Sequence, residues 1–339
     1  MMNLLDPWIL LRIAAGIVAT FLFVRGAATG YRVLRHFNVS QATEGQLALE
    51  RQVELASTFV RVATIVQVAS LALTVLAADR LSRGIRGAMC AYGVFAANSW
   101  GFPALFVTLG VAVAAGLLAQ LFVFDARVRG MDLVRSLAIG TLLLAPLALA
   151  DITLTTLFLL KLDLSVVASC CSVQLDPVAA GNGGYASGPR ELSAIAAPIA
   201  IGLSIFVALL AARRPRKPMV ALAGAMSLVA LPLAIAAAVL EVAPHAFEIP
   251  QHVCPFCLLK ADVFAIGYPL FGAILLAVMW GAGAALSGLI ARGPAAREAF
   301  APFARERLHR EAIAWLVALA IGVAPVLRYV IVTGGSLFR

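Results

Sequence analysis

The sequence predicts an all-α, polytopic integral membrane protein with about eight transmembrane helices and both termini on the extracytoplasmic side. Three observations carry that prediction. The 339 residues are 62% hydrophobic and only 13% charged, with a mean hydropathy of +0.98. An ordinary soluble domain is about 45–50% apolar and about 25% charged, so a soluble enzyme, a disordered chain and a collagen-like chain are excluded. Eight apolar stretches reach the length of about 20 residues that a bilayer-crossing helix needs. The basic residues are also distributed unevenly among the connections, which sets an orientation.

The spans are expected near residues 7–28, 56–77, 103–124, 136–160, 192–212, 219–240, 263–291 and 312–332, in one membrane domain covering 1–339 with no separate soluble domain. They are expected to be helices, because a lone strand in lipid leaves its backbone groups unpaired and no alternating pattern suggests a barrel. The first apolar stretch has Asp6 and no basic run before it, and no small-residue cleavage site closes it. It reads as a retained anchor rather than a signal peptide. Pro146, Pro198, Pro232, Pro269 and Pro325 fall within spans and are expected to kink them.

The connections after the odd-numbered spans hold 17 of the 26 basic residues, counting helix-end arginines, and the opposite side holds nine. The arginine-rich side is therefore expected to be cytoplasmic. It also holds eight acidic residues against nine on the other side, so the whole formal charge of +9 lies on it. That excess is an orientation signal. No basic aromatic module accompanies it, and no nucleic-acid partner is expected. Residues 84–102 are semi-apolar; a ninth span there would turn the Arg213–Lys217 cluster outward, so a re-entrant or interfacial segment is expected instead. Residues 40–57, with Ser40 as N-cap, are expected to extend the second span. Residues 294–311 mix Arg297, Arg305, Arg307 and Arg310 with Phe300 and Phe303, the pattern of a helix lying on an anionic leaflet or of a solvated linker helix. No Walker motif or dinucleotide fingerprint is present.

With this topology all five cysteines fall on the extracytoplasmic side, in three different loops. Cysteines serving only as core filler would scatter through the spans. His252-Val253-Cys254-Pro255-Phe256-Cys257 is the sharpest local signal. Read as the start of the helix that becomes the seventh span, it places Pro255 in a first turn and lets the helix N-terminus stabilise a Cys254 thiolate. The spacing suits a redox pair, a soft-metal clip or a static disulfide. Haem attachment is excluded, because Leu258 stands where His is required. Cys170 and Cys171 are adjacent and precede a Gly-rich loop, so they can exchange with Cys254 and Cys257, close over a metal, or form one ordinary disulfide. Cys90 follows Met89, and a thiolate beside a thioether is a reasonable soft-metal pair, although Met89 as a lipid or core contact is the simpler reading. An odd cysteine count in an oxidising compartment favours metal binding or redox exchange over a purely structural framework.

The candidate metal ligands are thus Cys90, Cys170, Cys171, His252, Cys254 and Cys257, and Cys254 and Cys257 are the catalytic pair if the chemistry is redox. Asp151 is read as the one carboxylate well inside a span, with Thr155 on the same face, and is a candidate intramembrane relay or a protonated acid satisfied by its neighbours. Asp79, Lys161, Glu241 and Asp262 are expected at helix ends. The Cys-x-x-Cys and vicinal pair resemble those of membrane thiol oxidoreductases and of mercury- or copper-handling membrane proteins, over a handful of residues that carry no site assignments.

Three function classes follow. The first is a protein that binds, hands over or transports a soft metal ion such as Cu, Zn or Hg at an extracytoplasmic Cys/His cluster, with a metallochaperone or transporter as partner. The second is a thiol–disulfide oxidoreductase or electron-transfer protein with a redox partner and a quinone as acceptor. The third is a structural subunit of a membrane complex. The expected location is the cell (inner) membrane, with the cysteine loops facing the periplasm or exterior.

Overall fold

The computed structural model describes residues 6–37, 44–163, 165, 167, 187–335 and 337. Among them the structure is helical and contains no strand; one isolated bridge pairs Arg86 with Val167. The helices are α1 (Pro7–His36), α2 (Glu44–Ser82), α3 (Ala91–Ala96), α4 (Gly101–Asp125), α5 (Val134–Leu160), α6 (Ser187–Arg213), α7 (Lys217–Ala237), α8 (Ala243–Phe247), α9 (Gly267–Ile290) and α10 (Pro294–Thr333). A π-turn, Ala238–Val242, joins α7 to α8. Among the described residues, eight helices are long and apolar enough to cross a membrane. Many large apolar side chains on them, such as Phe21, Ile65, Phe106 and Phe206, are exposed, as lipid-facing helices require.

Local sequence explains the helix ends. The Asp6 carboxylate accepts the Trp8 backbone N–H at 2.9 Å and Pro7 opens α1, a helix start in which an unpaired donor is capped and proline's missing N–H costs nothing. Gly334, at φ 74°, takes the left-handed turn after α10 and donates its N–H to the Val330 carbonyl. The π-turn ends two residues before Pro244, which has no N–H for the α-helical bond and whose ring crowds the preceding turn; widening that turn by one residue accommodates it.

The chain divides into two compact units: Met1–Ala168 with Leu289–Phe300, and Ser169–Gly288 with Ala301–Arg339. In the first, α1 packs on α2 and α5, and α4 packs on α2 and α5. Small residues permit the close approaches: a Cβ on Gly30 would lie 2.9 Å from the Ala138 carbonyl, so α1 meets α5 backbone to backbone there. In the second unit α6, α7, α9 and α10 share a core that includes Ile201, Ala230, Ala234, Leu270, Ile274, Ala314 and Trp315. Gly224 of α7 lies against the Gly281 carbonyl of α9 in the same manner.

Several expectations are corrected. Residues 294–311 are neither a leaflet-bound nor a solvated linker helix; they run unbroken into the eighth span, and Phe300, Phe303, Ala304 and Leu308 are buried. Pro269 lies in the first turn of α9 and kinks nothing, whereas Pro146, Pro198, Pro232 and Pro325 do fall inside helices, as does Pro302. Residues 84–100 form turns and the six-residue α3, and α4 begins at Gly101, so no ninth spanning helix lies there, as expected. The second span does extend back to Glu44, while Ser40 lies outside the described residues.

Candidate metal centre

The Cys-x-x-Cys segment does not begin the seventh helix. α9 starts at Gly267, ten residues beyond Cys257. Between them the chain makes two single-turn 3-10 helices, Cys257–Leu259 and Ala261–Val263, and then passes through left-handed backbone at Phe264 (φ 56°) and Ala265 (φ 52°). The left-handed step ends one helical run before the next begins, so no α-helical dipole points at Cys254. The turns are closed by their own bonds instead: Leu259 N–H to the Phe256 carbonyl, Lys260 N–H to Cys257, and Ala265 N–H to Lys260. Leu258 anchors the segment, fully buried in the core of the second unit. Gly267 has no room for a Cβ against Leu258 and Leu259, which fixes the segment on the start of α9.

Cys90 occupies the N-cap position of α3, preceded by Gly87 in positive-φ backbone (81°). The α3 turn is held by buried Ala91, Val94 and Phe95. Gly101, at the start of α4, lies against the Phe95 backbone so closely that any side chain would displace it. Cys90, Cys254 and Cys257 are each at most 3% exposed.

The sulfurs of Cys90, Cys254 and Cys257 lie within 4.8 Å of one another, and this buried three-cysteine group can hold a metal ion. Three thiolates bound to one ion at about 2.3 Å stand about 3.8–4.0 Å apart in tetrahedral or trigonal arrangement. Thiolate sulfur is soft and strongly donating, which selects soft or borderline metals over hard cations.

The remaining expected residues separate. Cys170 and Cys171 lie outside the described residues. His252 does not join the three-cysteine group; its ring stacks on Phe247 at a centroid separation of 4.0 Å. Met89 is 66% exposed. Asp151 is buried inside the first unit and paired with Arg12, whose guanidinium nitrogen lies 3.0 and 3.1 Å from its two carboxylate oxygens. Gln67 donates to the same carboxylate at 3.0 Å, and the Thr108 hydroxyl is bonded to it as well. Arg12 also donates to Thr74 and Thr155.

Sequence reasoning missed three polar positions. Arg12 counted as a flanking charge, yet it is 1% exposed within α1; an arginine inside a span was the available signal. Glu311 counted as part of a surface segment, yet it is fully buried within α10, so Asp151 is not the one interior carboxylate. Glu241 lies within a continuous helical run, Lys217–Phe247, bonded to Arg190 at 2.9 Å and with the His245 imidazole 3.7 Å away. Comparison with protein-family models, curated proteins and solved structures finds no match.

Proposed function

We propose that this chain is a multi-pass membrane protein that takes up a soft metal ion, Cu(I), Zn(II) or Hg(II), at Cys90, Cys254 and Cys257, and passes it on or moves it. The observation that carries this reading is the convergence of three buried sulfurs from distant parts of the sequence within 4.8 Å. Two of them belong to one Cys-x-x-Cys turn, which suits chelation by a single short segment. The third comes from a separate loop 164 positions earlier. Cys170 and Cys171, which precede a Gly-rich stretch of sequence, are the proposed exchange ligands, and His252 is a further one. The lysine and arginine distribution supports an extracytoplasmic placement of these residues and of both termini, in the cell membrane, with an extracytoplasmic metallochaperone or a transporter as partner.

A thiol–disulfide reading draws on the same observation, because the Cys254 and Cys257 sulfurs lie within 4.8 Å of each other. Metal analysis of protein purified anaerobically with reductant separates the two. The metal reading expects about one ion per chain, retained on desalting and lost in Cys254→Ser. Metal-free protein, together with a mixed disulfide trapped by Cys257→Ser, would replace it with the redox reading. Labelling of intact cells by a membrane-impermeant maleimide, with chelator and reductant, is expected to reach these thiols from outside. Labelling only after permeabilisation contradicts the orientation.

A further inference from the structure

The second unit contains a buried carboxyl group that the metal centre does not use. Glu311 is 0% exposed. Its hydrogen-bond partners are the hydroxyls of Ser204 on α6, at 3.4 Å from Oε1, and Ser227 on α7. The Ser227 hydroxyl in turn accepts the Trp315 indole N–H at 2.9 Å, one helical turn beyond Glu311. Oε2 has no partner among the described residues. Gly281 on α9 leaves room for the group: a Cβ there would lie 2.8 Å from the carboxyl carbon and Oε1 and 2.9 Å from Oε2.

The depth follows from the neighbouring helices. Ser204 lies nine residues before Arg213, Ser227 ten residues after Lys217, and Gly281 nine residues before Ile290. At 1.5 Å per residue each stands about 13–15 Å from that end of its helix, and a hydrocarbon core is about 30 Å thick. Glu311 is therefore set well back from those helix ends, inside the packed helices of the second unit.

The three neighbouring helices bring no charged side chain to it. Residues 192–212, 218–240 and 264–291, which hold α6, α7 and α9 across the apolar layer, contain no Asp, Glu, Lys, Arg or His. On α10 itself, Arg307 lies one turn earlier with its guanidinium 4.9 Å from the Phe303 ring centroid. Arg310 is paired with Glu306 at 2.6 Å, and Arg305 donates to the Ala212 carbonyl. No ion pair to Glu311 is formed among the described residues. An anion at this place would be desolvated and uncompensated, which apolar surroundings penalise far more than a neutral acid.

We propose that Glu311 is a proton-binding site in the interior of the second unit, carrying an exchangeable proton on Oε2 while Oε1 accepts from Ser204. The site is independent of the cysteine chemistry. A monovalent cation held by the same carboxylate and hydroxyls is the alternative occupant.

The test uses the full-length protein in lipid vesicles and N,N′-dicyclohexylcarbodiimide, a membrane-soluble reagent that modifies undissociated carboxyl groups. Peptide mass spectrometry is expected to find the adduct on Glu311 at neutral pH, less of it at alkaline pH, and none on Asp151, whose carboxylate oxygens are engaged by Arg12, Gln67 and Thr108. The infrared carbonyl band of an undissociated acid is expected in the unaltered protein at neutral pH and absent in Glu311→Gln. The proposal is overturned if sodium or potassium ions protect Glu311 from the reagent. It is equally overturned if the unaltered protein shows neither the adduct nor a carbonyl band beyond that of Glu311→Gln. The labelling arm needs no substituted protein, so a folding defect in the variant leaves the question decidable.

Discussion

The first unit holds its buried carboxylate, Asp151, against the guanidinium of Arg12 and the side chains of Gln67 and Thr108; the second unit holds Glu311 against two serine hydroxyls and a glycine. Both groups sit among apolar helices, and both must avoid a bare charge in a medium that does not solvate one. The first unit does so by pairing opposite charges and satisfying most of their remaining hydrogen-bonding positions. The second, among the described residues, pairs no cation with Glu311. The two arrangements therefore respond differently to substitution. A paired site fails when one partner is removed, because the other is left charged and buried. A site without a counter-ion tolerates a neutral isostere, because no partner is stranded.

The largest expected effect tests the paired site. Arg12→Met is expected to destabilise the protein by about 3–5 kcal/mol, read as a loss of unfolding free energy in detergent or lipid. Adding Asp151→Leu to it is expected to recover most of the loss; a double variant as unstable as Arg12→Met alone would break the pairing argument. Intermediate effects are expected at the two glycines that make room for these groups. A Cβ on Gly16 would meet the Arg12 guanidinium at 2.6 Å and Ile152 at 2.8 Å, and one on Gly281 would meet the Glu311 carboxyl. Gly16→Ala and Gly281→Ala are each expected to cost about 1–3 kcal/mol. For Gly281→Ala the cost is expected to shrink when Glu311→Ala is combined with it, a coupling that a double-mutant cycle reads directly. The smallest effect sharpens the contrast. Glu311→Gln, which keeps the shape and an acceptor, is expected to change stability by less than about 1 kcal/mol. A loss as large as that of Arg12→Met would mean that Glu311 is held as an anion.

The long apolar elements were legible in the sequence, because hydropathy is a local property and lipid demands it over about 20 residues. Residues 44–82 and 294–333 were only partly so, since their polar ends continue helices whose charged faces coexist with buried Phe300, Phe303 and Leu308. Cys90, Cys254 and Cys257 were all identified as ligand candidates from residue type and loop placement. The grouping of those three without His252 was not legible, because ring stacking of His252 on Phe247 depends on the turn at 248–253. The backbone around Cys254 was misread as a helix start, because Pro255 suits a first helical turn and a first 3-10 turn equally. The Arg12–Asp151 pair joins residues 139 positions apart, and a charge inside a span announces only that some partner exists, not which. Glu311 was hidden by its surroundings in the sequence: Arg305, Arg307 and Arg310 made its segment read as a surface.

The central claim concerns the sulfur group, and X-ray absorption spectroscopy of the metal edge in anaerobically prepared, metal-loaded protein tests it most directly. A first coordination shell dominated by three sulfurs at about 2.3 Å is expected. Cys90→Ser, Cys254→Ser and Cys257→Ser are each expected to remove one sulfur from that shell or abolish binding. A shell of nitrogen and oxygen atoms, or a sulfur shell unchanged by all three substitutions, would contradict it.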